Sequence, residues 1–399
     1  MFAKYSVQDV ILSIIALARL QDASAYADKQ NNKLCMPQDK GAQYDNSTFI
    51  MKNKELINNL ARYSIFASCA YGWKSHLALS GRLLIGDDNM LTQRTGVKKC
   101  DIVATNWKSK THCPAYFIVR DMERKNIVLS IRGTLSPRDV LTDLCCNAKD
   151  FECSCDDIRD DVLTRAHQGM IMAAKNIAKM TQSAIGKELQ NNPSFNLVSY
   201  LCFHYQKITF NLQLVLNCQV IVGHSLGAGV AACLNSMWEN VFTNRQITSY
   251  SYGPPGVEID NAYSAKNHDI ISVVADGDPF ATMSLGHLVD LLMLLSHLCI
   301  NTTFRDEIMH RTQKNNIKNN LQWCYDTMQC LGQHFMTAEK LYPPGRIICM
   351  NGLELALSEA PRSKFRDILL HPHMLDVSRH VPSYYENNLQ KIWHDVNKK

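Results

Sequence analysis

The chain has 399 residues, of which 46% are hydrophobic and 20% charged, the balance of an ordinary globular protein. Its 42 basic and 37 acidic residues give a formal net charge of +5, which is weak for a chain of this size. This composition excludes the strongly basic class of nucleic-acid-binding proteins, and the length suits one large α/β domain or two smaller ones.

The first predicted element is an amphipathic helix over residues 6–28, the main part of an N-terminal helical extension assigned to residues 1–54. One face of this helix collects apolar side chains, namely Val7, Val10, Ile11, Ile14, Ile15 and Ala18. We expect this face to pack on the core, with contact to a membrane as the alternative. Because Asp9 and Arg19 interrupt the apolar run, we expect neither a secretory signal peptide nor a transmembrane helix here.

Residues 55–399 are assigned to one α/β domain. A second amphipathic helix is predicted over residues 55–71, followed by a looser stretch to about residue 112. Two strand-like runs, 115–119 and 127–131, are joined by a short polar turn and predict a hairpin. A helix is then predicted to start at Ser136-Pro137, because Ser can cap free N–H groups and Pro fits the first helical position.

The chain contains fifteen cysteines, a high count. Since no secretory leader is expected, most of them should be thiols in a reducing compartment. The densest group lies in and beside a predicted loop over residues 150–161 and consists of Cys145, Cys146, Cys153 and Cys155. Its spacing matches none of the usual zinc patterns, so no metal site is expected there.

The most informative stretch follows a predicted long helix, 165–189, and a connection of uncertain structure, 191–217. An apolar run, Val220-Ile221-Val222, leads into Gly223-His224-Ser225-Leu226-Gly227 and then into small apolar residues as far as Trp238. This order predicts a strand, a tight turn and a helix, with the G-x-S-x-G pattern of a nucleophile elbow. Its two glycines lack the Cβ atoms that would collide where strand and helix approach closely. The alternative is a Gly-rich turn with an inert serine.

Strands and helices continue to alternate after the elbow. The pattern predicts strands at 247–252, 270–274 and 346–350, a packed or interfacial helix at 285–300, a short amphipathic piece at 365–370 and a final helix at 381–396. Apolar strands alternating with helices predict an α/β fold with a mainly parallel central sheet. Residues 301–335 are rich in Asn, Gln, Lys and Arg and predict a surface insertion, either a mobile flap or a plain solvated segment.

A serine nucleophile needs a histidine to accept its proton and a carboxylate to orient that histidine. In α/β-hydrolases these residues follow in the order Ser, then Asp or Glu, then His. Asp276 and Asp278 both follow a predicted strand, and the pattern of residues leaves both open. Of the later histidines, His380 is favoured because it lies in a loop directly before the last helix. The others are His287, His297, His310, His334, His371, His373 and His394.

Several stretches between about residue 60 and residue 385 resemble the class 3 (fungal-type) lipases. They are Tyr71-Gly72-Trp73, residues 131–144 with Arg132-Gly133-Thr134, residues 166–169, 222–229 and 341–348, and Met374-Leu375 with His380-Val381-Pro382. Within that family the chain is most similar to the catalytic domain of the sn-1-specific diacylglycerol lipases, in particular the beta type. The resemblance implies an α/β-hydrolase fold and a serine hydrolase that cleaves the sn-1 ester of diacylglycerol to a monoacylglycerol and a fatty acid.

The resemblance also implies which carboxylate and which histidine act. In the family the catalytic Asp lies six residues from a serine on either side, and Ser272, Asp278 and Ser284 keep that register. This favours Asp278 over Asp276 as the acid. The catalytic His of the family precedes an x-Pro near the chain end, as His380 does, although the linker before it is slightly longer here.

The oxyanion hole would use Thr134 and the main-chain N–H of Leu226, again by resemblance. The physical expectation agrees, since one donor normally follows the nucleophile and the other comes from an early strand-end loop. An alternative role for Thr134 is to cap a helix. No metal or cofactor is expected to be required, and calcium stimulation is implied by the resemblance alone.

The expected partner is a diacylglycerol at a membrane surface, whereas nucleic acid is not expected and the oligomeric state stays open. The transmembrane bundle of those lipases has no counterpart in the pattern of this chain. We therefore expect a protein peripheral to the cytoplasmic side of a membrane, held by interfacial helices. The alternative functions are another class 3 acyl hydrolase, such as a phospholipase A1 or a triacylglycerol lipase, and a catalytically inactive lipid-binding relative.

Overall fold

An eight-stranded sheet forms the centre of the computed structural model, which describes residues 4–34, 50–75, 86–134, 148–151, 164–192, 218–238, 241–242, 246–257, 269–281, 283–365 and 377–398. The strands are β1 (Ile102–Asn106), β2 (Tyr116–Asp121), β3 (Asn126–Ile131), β4 (Ala148–Phe151), β5 (Thr164–His167), β6 (Cys218–His224), β7 (Gln246–Tyr252), β8 (Ile270–Ala275), β9 (Arg346–Asn351) and β10 (Ala356–Ala360). The helices are α1 (Val7–Leu34), α2 (Lys54–Cys69), α3 (Asp87–Thr95), α4 (Gln168–Asn191), α5 (Leu226–Trp238), α6 (Leu285–Ile300), α7 (Thr302–Arg311), α8 (Ile317–Phe335) and α9 (Pro382–Lys398).

Parallel strands make the middle of the sheet, whose order is β1-β2-β3-β6-β7-β8-β9-β10. Strands β3, β6, β7, β8 and β9 pair in parallel, while β1, β2 and β10 are antiparallel additions at the two edges. The sheet is therefore mainly parallel, and the α/β fold predicted from the sequence is confirmed. Strands β4 and β5 form a separate antiparallel ribbon.

Consecutive residues of β6 enter two different cores, because side chains alternate across a strand. Val220 and Val222 pack in the core that includes apolar residues of α2, α3 and α9. Ile221 points the other way and packs with apolar residues of α4 and α5. The strand is apolar on both faces because helices cover both faces of the sheet. Two helical layers thus hold β6 and fix the position of the turn at its carboxyl end.

A third apolar core joins α1 to α6, α7 and α8, apart from the two cores that flank the sheet. Helix α1 contributes four buried side chains to it, namely Ala16, Leu17, Leu20 and Ala23. The face that the sequence predicted to pack on the core is a different one, and that prediction is wrong. Four of its residues, Val7, Ile11, Ile14 and Ile15, are 77%, 51%, 40% and 36% exposed. Residues 10–18 of α1 are apolar except for Ser13 and so cover nearly every side of the helix. The helical period therefore could not identify the buried side.

Helix α1 is also longer than the apolar run that the sequence suggested. Among the described helices, α1 alone is long and apolar enough to cross a membrane, over residues Val7–Ala27. However, 44% of its apolar stretch is buried within the protein. Helices α6 and α7 would meet the same criterion only as a pair bent by 99°. Buried helices of soluble proteins pass this test as well.

The polar segment 301–335 forms α7 and α8, which turn their few apolar residues inward. Arg305 of α7 is buried, and its guanidinium contacts the carboxylate of Asp9 in α1 at 2.9 Å. A second ion pair, with both partners buried, joins Lys340 Nζ, beyond α8, to Asp290 Oδ2 in α6 at 2.5 Å. The two pairs fasten the segment to its neighbours at both ends.

Five short helices and strands were not predicted from the sequence, namely α3, β1, β4, β5 and β10. The stretch before residue 112, predicted to be loose, contains α3 and β1, and β10 follows β9 without having been predicted. Helix α4 begins at Gln168 rather than at 165, because residues 164–167 pair with β4. Several predictions lie outside the described residues: the helix start at Ser136, the four clustered cysteines, residues 193–217 of the uncertain connection, residues 366–370 and His371 and His373.

Candidate active site

Ser225 lies at the turn between β6 and α5 and is 2% exposed. Its φ of +57° is in the left-handed region, which residues other than Gly seldom adopt, so the backbone is strained at this serine. A Cβ on Gly223 would lie 2.2 Å from the carbonyl oxygen of Gly227, and one on Gly227 would lie 2.3 Å from the carbonyl oxygen of Ile131. Both glycines are therefore needed for the close approach of strand and helix, as the sequence predicts.

The Ser225 hydroxyl, the His380 ring and the Asp278 carboxylate form one hydrogen-bonded chain. Ser225 Oγ is 2.8 Å from His380 Nε2, and His380 Nδ1 is 3.0 and 2.8 Å from Oδ1 and Oδ2 of Asp278. Because a carboxylate only accepts, Nδ1–H donates to Asp278, which leaves Nε2 to accept from the Ser225 hydroxyl. Three residues that the sequence singles out thus meet, although His380 is 155 positions from Ser225 along the chain.

The Asp278 carboxylate is buried and held from several sides. Its Oδ1 accepts from the main-chain N–H groups of Phe280 (2.9 Å) and Ala281 (3.2 Å). Its Oδ2 accepts from the hydroxyl of Tyr385 in α9, and the same hydroxyl accepts from the main-chain N–H of Ala275 at the end of β8. Burial, followed by the carboxylate charge, raises the pKa of Tyr385 well above its ordinary value, so the phenol stays protonated and donates. These contacts fix the carboxylate plane against the His380 ring.

Asp276, the alternative acid, lies elsewhere. Its side chain is exposed, and its main-chain carbonyl accepts from Arg379 Nη1 at 2.8 Å. Of the other described histidines downstream, His287 is buried, pairs with Ser284 at the start of α6 and reaches the carbonyl of Phe365. The rest lie on the helices α6 to α9. Among the described candidates, His380 and Asp278 are therefore the pair that reaches Ser225.

The loop after β3 lies directly against the elbow. A Cβ on Gly133 would be 2.4 Å from the carbonyl oxygen of His224 and 3.0 Å from the Cβ of Ser225, so only glycine fits this approach. Thr134 is the next residue and is half-buried. Leu226 is the first residue of α5, where main-chain N–H groups lack partners within the helix and the helix dipole favours negative charge.

Two aromatic contacts surround the His380 ring. The ring of Phe280 lies 4.7 Å from it, and the ring of His224, the residue before Ser225, lies 4.9 Å from it, both measured between centroids. Burial, and then the neighbouring His380, lower the pKa of His224 well below its ordinary value, so this second imidazole is neutral. His224 Nδ1 is 2.8 Å from the hydroxyl of Tyr71.

Sequence reasoning missed the contacts of Tyr385, Phe280 and His224. For Tyr385 no signal was available, because it is one of several aromatic residues near the chain end. Tyr71 lay in a stretch that carries the resemblance, but its contact could not be read from the pattern. In the part of the chain that the structure describes, no three His, Cys, Asp or Glu side chains come together as metal ligands.

The model of one known family, Lipase (class 3), matches residues 209–287, a range that includes Ser225 and Asp278. Diacylglycerol lipase-alpha of Homo sapiens is 23% identical over 98% of this chain and 42% of that protein. Diacylglycerol lipase-beta of Mus musculus is 24% identical over 59% of this chain and 35% of that protein. The chain thus spans less than half the length of the curated relatives it matches, and these identities do not set the beta type apart from the alpha type.

Solved structures to which the chain is similar include fungal lipases. The native Rhizomucor miehei lipase propeptide complex is 14% identical, with a TM-score of 0.48 and coverage of 88% of this chain and 89% of that one. The lipase of Rhizopus microsporus var. chinensis is 18% identical, with a TM-score of 0.41 and coverage of 57% and 68%. By the family match and the curated relatives, the chain is similar to the class 3 lipases and, among them, resembles the diacylglycerol lipases.

Proposed function

We propose that the protein is a serine lipase that hydrolyses the sn-1 ester of diacylglycerol to a monoacylglycerol and a fatty acid. The observation that carries the reaction class is the hydrogen-bonded chain Ser225–His380–Asp278, with each step at 2.8 Å and Ser225 on a strained elbow. A serine without such a base is a poor nucleophile at neutral pH. The substrate class is supported by the resemblance to diacylglycerol lipases.

The reaction begins when Ser225 Oγ attacks the ester carbonyl and its proton moves to His380 Nε2. Asp278 keeps its bond from Nδ1–H and stabilises the imidazolium that forms. The negative charge on the former carbonyl oxygen is held by the N–H of Leu226 and by Thr134. The C–O bond to glycerol then breaks, and His380 returns the proton to the leaving oxygen. Water, deprotonated by His380, attacks the acyl-enzyme and frees the fatty acid and Ser225.

This function is tested on defined lipids. The purified protein is given, in mixed micelles, a diacylglycerol with different acyl chains at sn-1 and sn-2, the matching phosphatidylcholine and a triacylglycerol. We expect the sn-1 acid and the 2-monoacylglycerol to form at least about tenfold faster than products of the other two lipids, a modest discrimination for an enzyme pocket. Faster release from phosphatidylcholine or triacylglycerol would instead assign the alternative acyl hydrolases, and no product from any lipid would favour an inactive lipid-binding relative.

The chemistry requires no metal, since His380 and Asp278 supply the base, and the N–H of Leu226 with Thr134 stabilises the oxyanion. Stimulation by calcium rests on the resemblance alone. Repeating the same diacylglycerol assay with added calcium and with a chelator measures it directly.

The protein is further proposed to bind the cytoplasmic face of a membrane through exposed apolar sides of α1 and α6. Of the fourteen large hydrophobic side chains exposed in the described residues, five lie on α1 and three on α6. The three on α6, Val289, Met293 and Ile300, recur at helical spacing on one side. Ser13 Oγ of α1 lies 3.4 Å from Cys299 Sγ, so the end of α6 with its exposed Ile300 is beside α1. Because the proposed substrate is a lipid, we propose that a lipid surface covers these exposed apolar side chains of α1 and α6.

Replacing Ile11 and Ile14 together by Glu should weaken binding to phospholipid vesicles by at least about tenfold, because burial of each isoleucine contributes about 1.5–3 kcal/mol. Co-sedimentation with vesicles measures this, and turnover of a short water-soluble ester should stay unchanged. The matched control is Met172→Glu on α4, whose side chain is 42% exposed. Equal binding by the double variant, or equal loss in the control, would show that this face does not contact the membrane.

A further inference from the structure

Tyr71 has no part in the proposed proton relay, yet its position is closely determined. It follows α2 in a turn where Gly72 has a φ of +81° and a Cβ on Gly72 would lie 2.7 Å from Oδ1 of Asp87. The same oxygen of Asp87 accepts from the main-chain N–H of Trp73 at 2.8 Å. The start of α3 therefore fixes the turn that carries Tyr71, and with it the direction of the phenol.

The Tyr71 hydroxyl connects the loop after β3 to the elbow. Its oxygen lies beside Gly133, where an added Cβ would be 2.5 Å away and the main-chain N–H is close enough to favour the phenolate, and its hydrogen is left for His224 Nδ1, 2.8 Å away. Burial raises the pKa of Tyr71, so the hydroxyl keeps its proton. Since Nδ1 of the neutral His224 ring accepts, Nε2 must carry the ring proton. The hydrogen bond from Tyr71 thus selects one tautomer of His224.

His224 in turn faces the residue that acts as the base. The two imidazole rings are 4.9 Å apart between centroids and inclined by 45°. His224 Nε2 is buried and makes no hydrogen bond of good geometry within the described residues, although the main-chain carbonyl of His380 is close enough to favour a proton on the ring. The His380 loop therefore rests on an imidazole whose orientation is fixed by Tyr71.

We propose that Tyr71 and His224 are positioning residues, which hold the loop of Gly133 and Thr134 and the ring of His380 in register around Ser225. This inference rests on the proposed function. The three parts it joins are distant along the chain: the loop follows β3, Ser225 follows β6, and His380 precedes α9. Acyl transfer depends on their separation, because a misplacement of about 1 Å between reacting groups can cost roughly a hundredfold in rate.

The change Tyr71→Phe removes only the hydroxyl and leaves the ring in its place. His224 Nδ1 then loses its hydrogen-bond partner and Gly133 loses the polar atom beside it, so neither the tautomer nor the tilt of the His224 ring is fixed by Tyr71 any longer. We expect kcat for a short water-soluble ester to fall about tenfold with KM unchanged, because the loss affects the reacting geometry rather than ground-state binding. The rate of inactivation by a fluorophosphonate should fall by the same factor.

Three further variants separate positioning from general stability. His224→Leu should also lower kcat about tenfold, and the double variant should be no slower than the slower single one, since the two residues act as one unit. His224→Asn, whose amide oxygen can accept from Tyr71 in place of Nδ1, should recover kcat to within about threefold of the unmodified protein. The matched control is Tyr63→Phe in α2, a buried phenol that accepts from Asn126 Nδ2; it should lower the melting temperature and leave kcat unchanged.

The inference fails if Tyr71→Phe keeps more than half of kcat, if the two single effects multiply in the double variant, or if Tyr63→Phe lowers kcat as much as Tyr71→Phe does. Failure of the serine-hydrolase chemistry gives a different result, because the unmodified protein would then not react with the fluorophosphonate at all. A preference for another lipid ester would show in the lipid assay and would leave the effect of Tyr71→Phe on kcat unchanged. If the unmodified protein is labelled and the Tyr71→Phe variant is equally fast, the positioning role of Tyr71 and His224 is contradicted and the proposed function is not.

Discussion

The change Ser225→Ala is expected to abolish both ester turnover and labelling by a fluorophosphonate probe. The probe reacts with a serine oxygen activated by a base, and the hydroxyl 2.8 Å from His380 Nε2 is the one that the structure offers. Removing the nucleophile of a triad lowers kcat by about 10⁶-fold, and the small activity that remains comes from substrate binding and the oxyanion hole. The fold should persist, because Ala fills the same space and the main-chain N–H of Ser225 still donates to the carbonyl of Tyr252.

A labelling gel and a thermal melt of the same samples measure this result. The matched control is Ser236→Ala on α5, whose hydroxyl donates to the carbonyl of Ala232 in the same helix at 3.4 Å. This control should be labelled like the unmodified protein. Labelling that persists in Ser225→Ala would place the nucleophile on another serine and remove the basis of the proposed function.

Local sequence patterns were enough to predict the elbow and the sheet around it. The run Val220-Ile221-Val222 is apolar on both sides, which is typical of a strand covered on both faces, and the two glycines follow from the close approach they permit. The order of the elements was enough to favour His380 among eight histidines, because it lies in a loop directly before the last helix. These predictions succeed because each depends on neighbours within a few residues or on the order of the elements.

What the sequence could not supply depends on contacts between distant segments. Residues 10–18 of α1 are apolar on nearly every side, so the buried side is decided by contacts with α6, α7 and α8, which come more than 250 positions later. Asp276 and Asp278 both follow β8, and residue types alone do not tell which side chain turns inward. The partners of Asp278, Tyr385 above all, belong to a helix whose position no local pattern encodes.

The two carboxylates after β8 should respond very differently to the same change. In Asp278→Asn we expect kcat to fall about 10⁴-fold, the size of the loss when a triad carboxylate becomes an amide. In Asp276→Asn we expect kcat within about threefold of the unmodified protein, since changes at exposed side chains away from a site are usually small. Because the two variants lose one negative charge each and lie two residues apart, they are matched controls for one another.

The physical reason lies in the donors around Asp278. Its Oδ1 accepts from the N–H groups of Phe280 and Ala281, so in the Asn variant the amide oxygen should stay there and the NH₂ group should replace Oδ2. That NH₂ can donate to the hydroxyl oxygen of Tyr385, but it cannot accept from His380 Nδ1–H. The amide oxygen, already bonded to two main-chain N–H groups, keeps only the longer contact of 3.0 Å with Nδ1. The tautomer in which Nδ1 accepts from the NH₂ group is then favoured, and its Nε2–H points at Ser225 Oγ and cannot accept the serine proton.

Rates on a short water-soluble ester, measured with the melting temperature of each variant, decide between the two acids. If Asp276→Asn loses the larger share of kcat, Asp276 orients the base and the arrangement around His380 must change when substrate binds. If both variants keep their rates, neither carboxylate orients the base, and the hydrogen bond of 2.8 Å between His380 Nδ1 and Asp278 Oδ2 has no role in catalysis. A loss confined to Asp278→Asn with an unchanged melting temperature requires that the carboxylate acts through the tautomer of His380, because a structural defect would lower the stability as well.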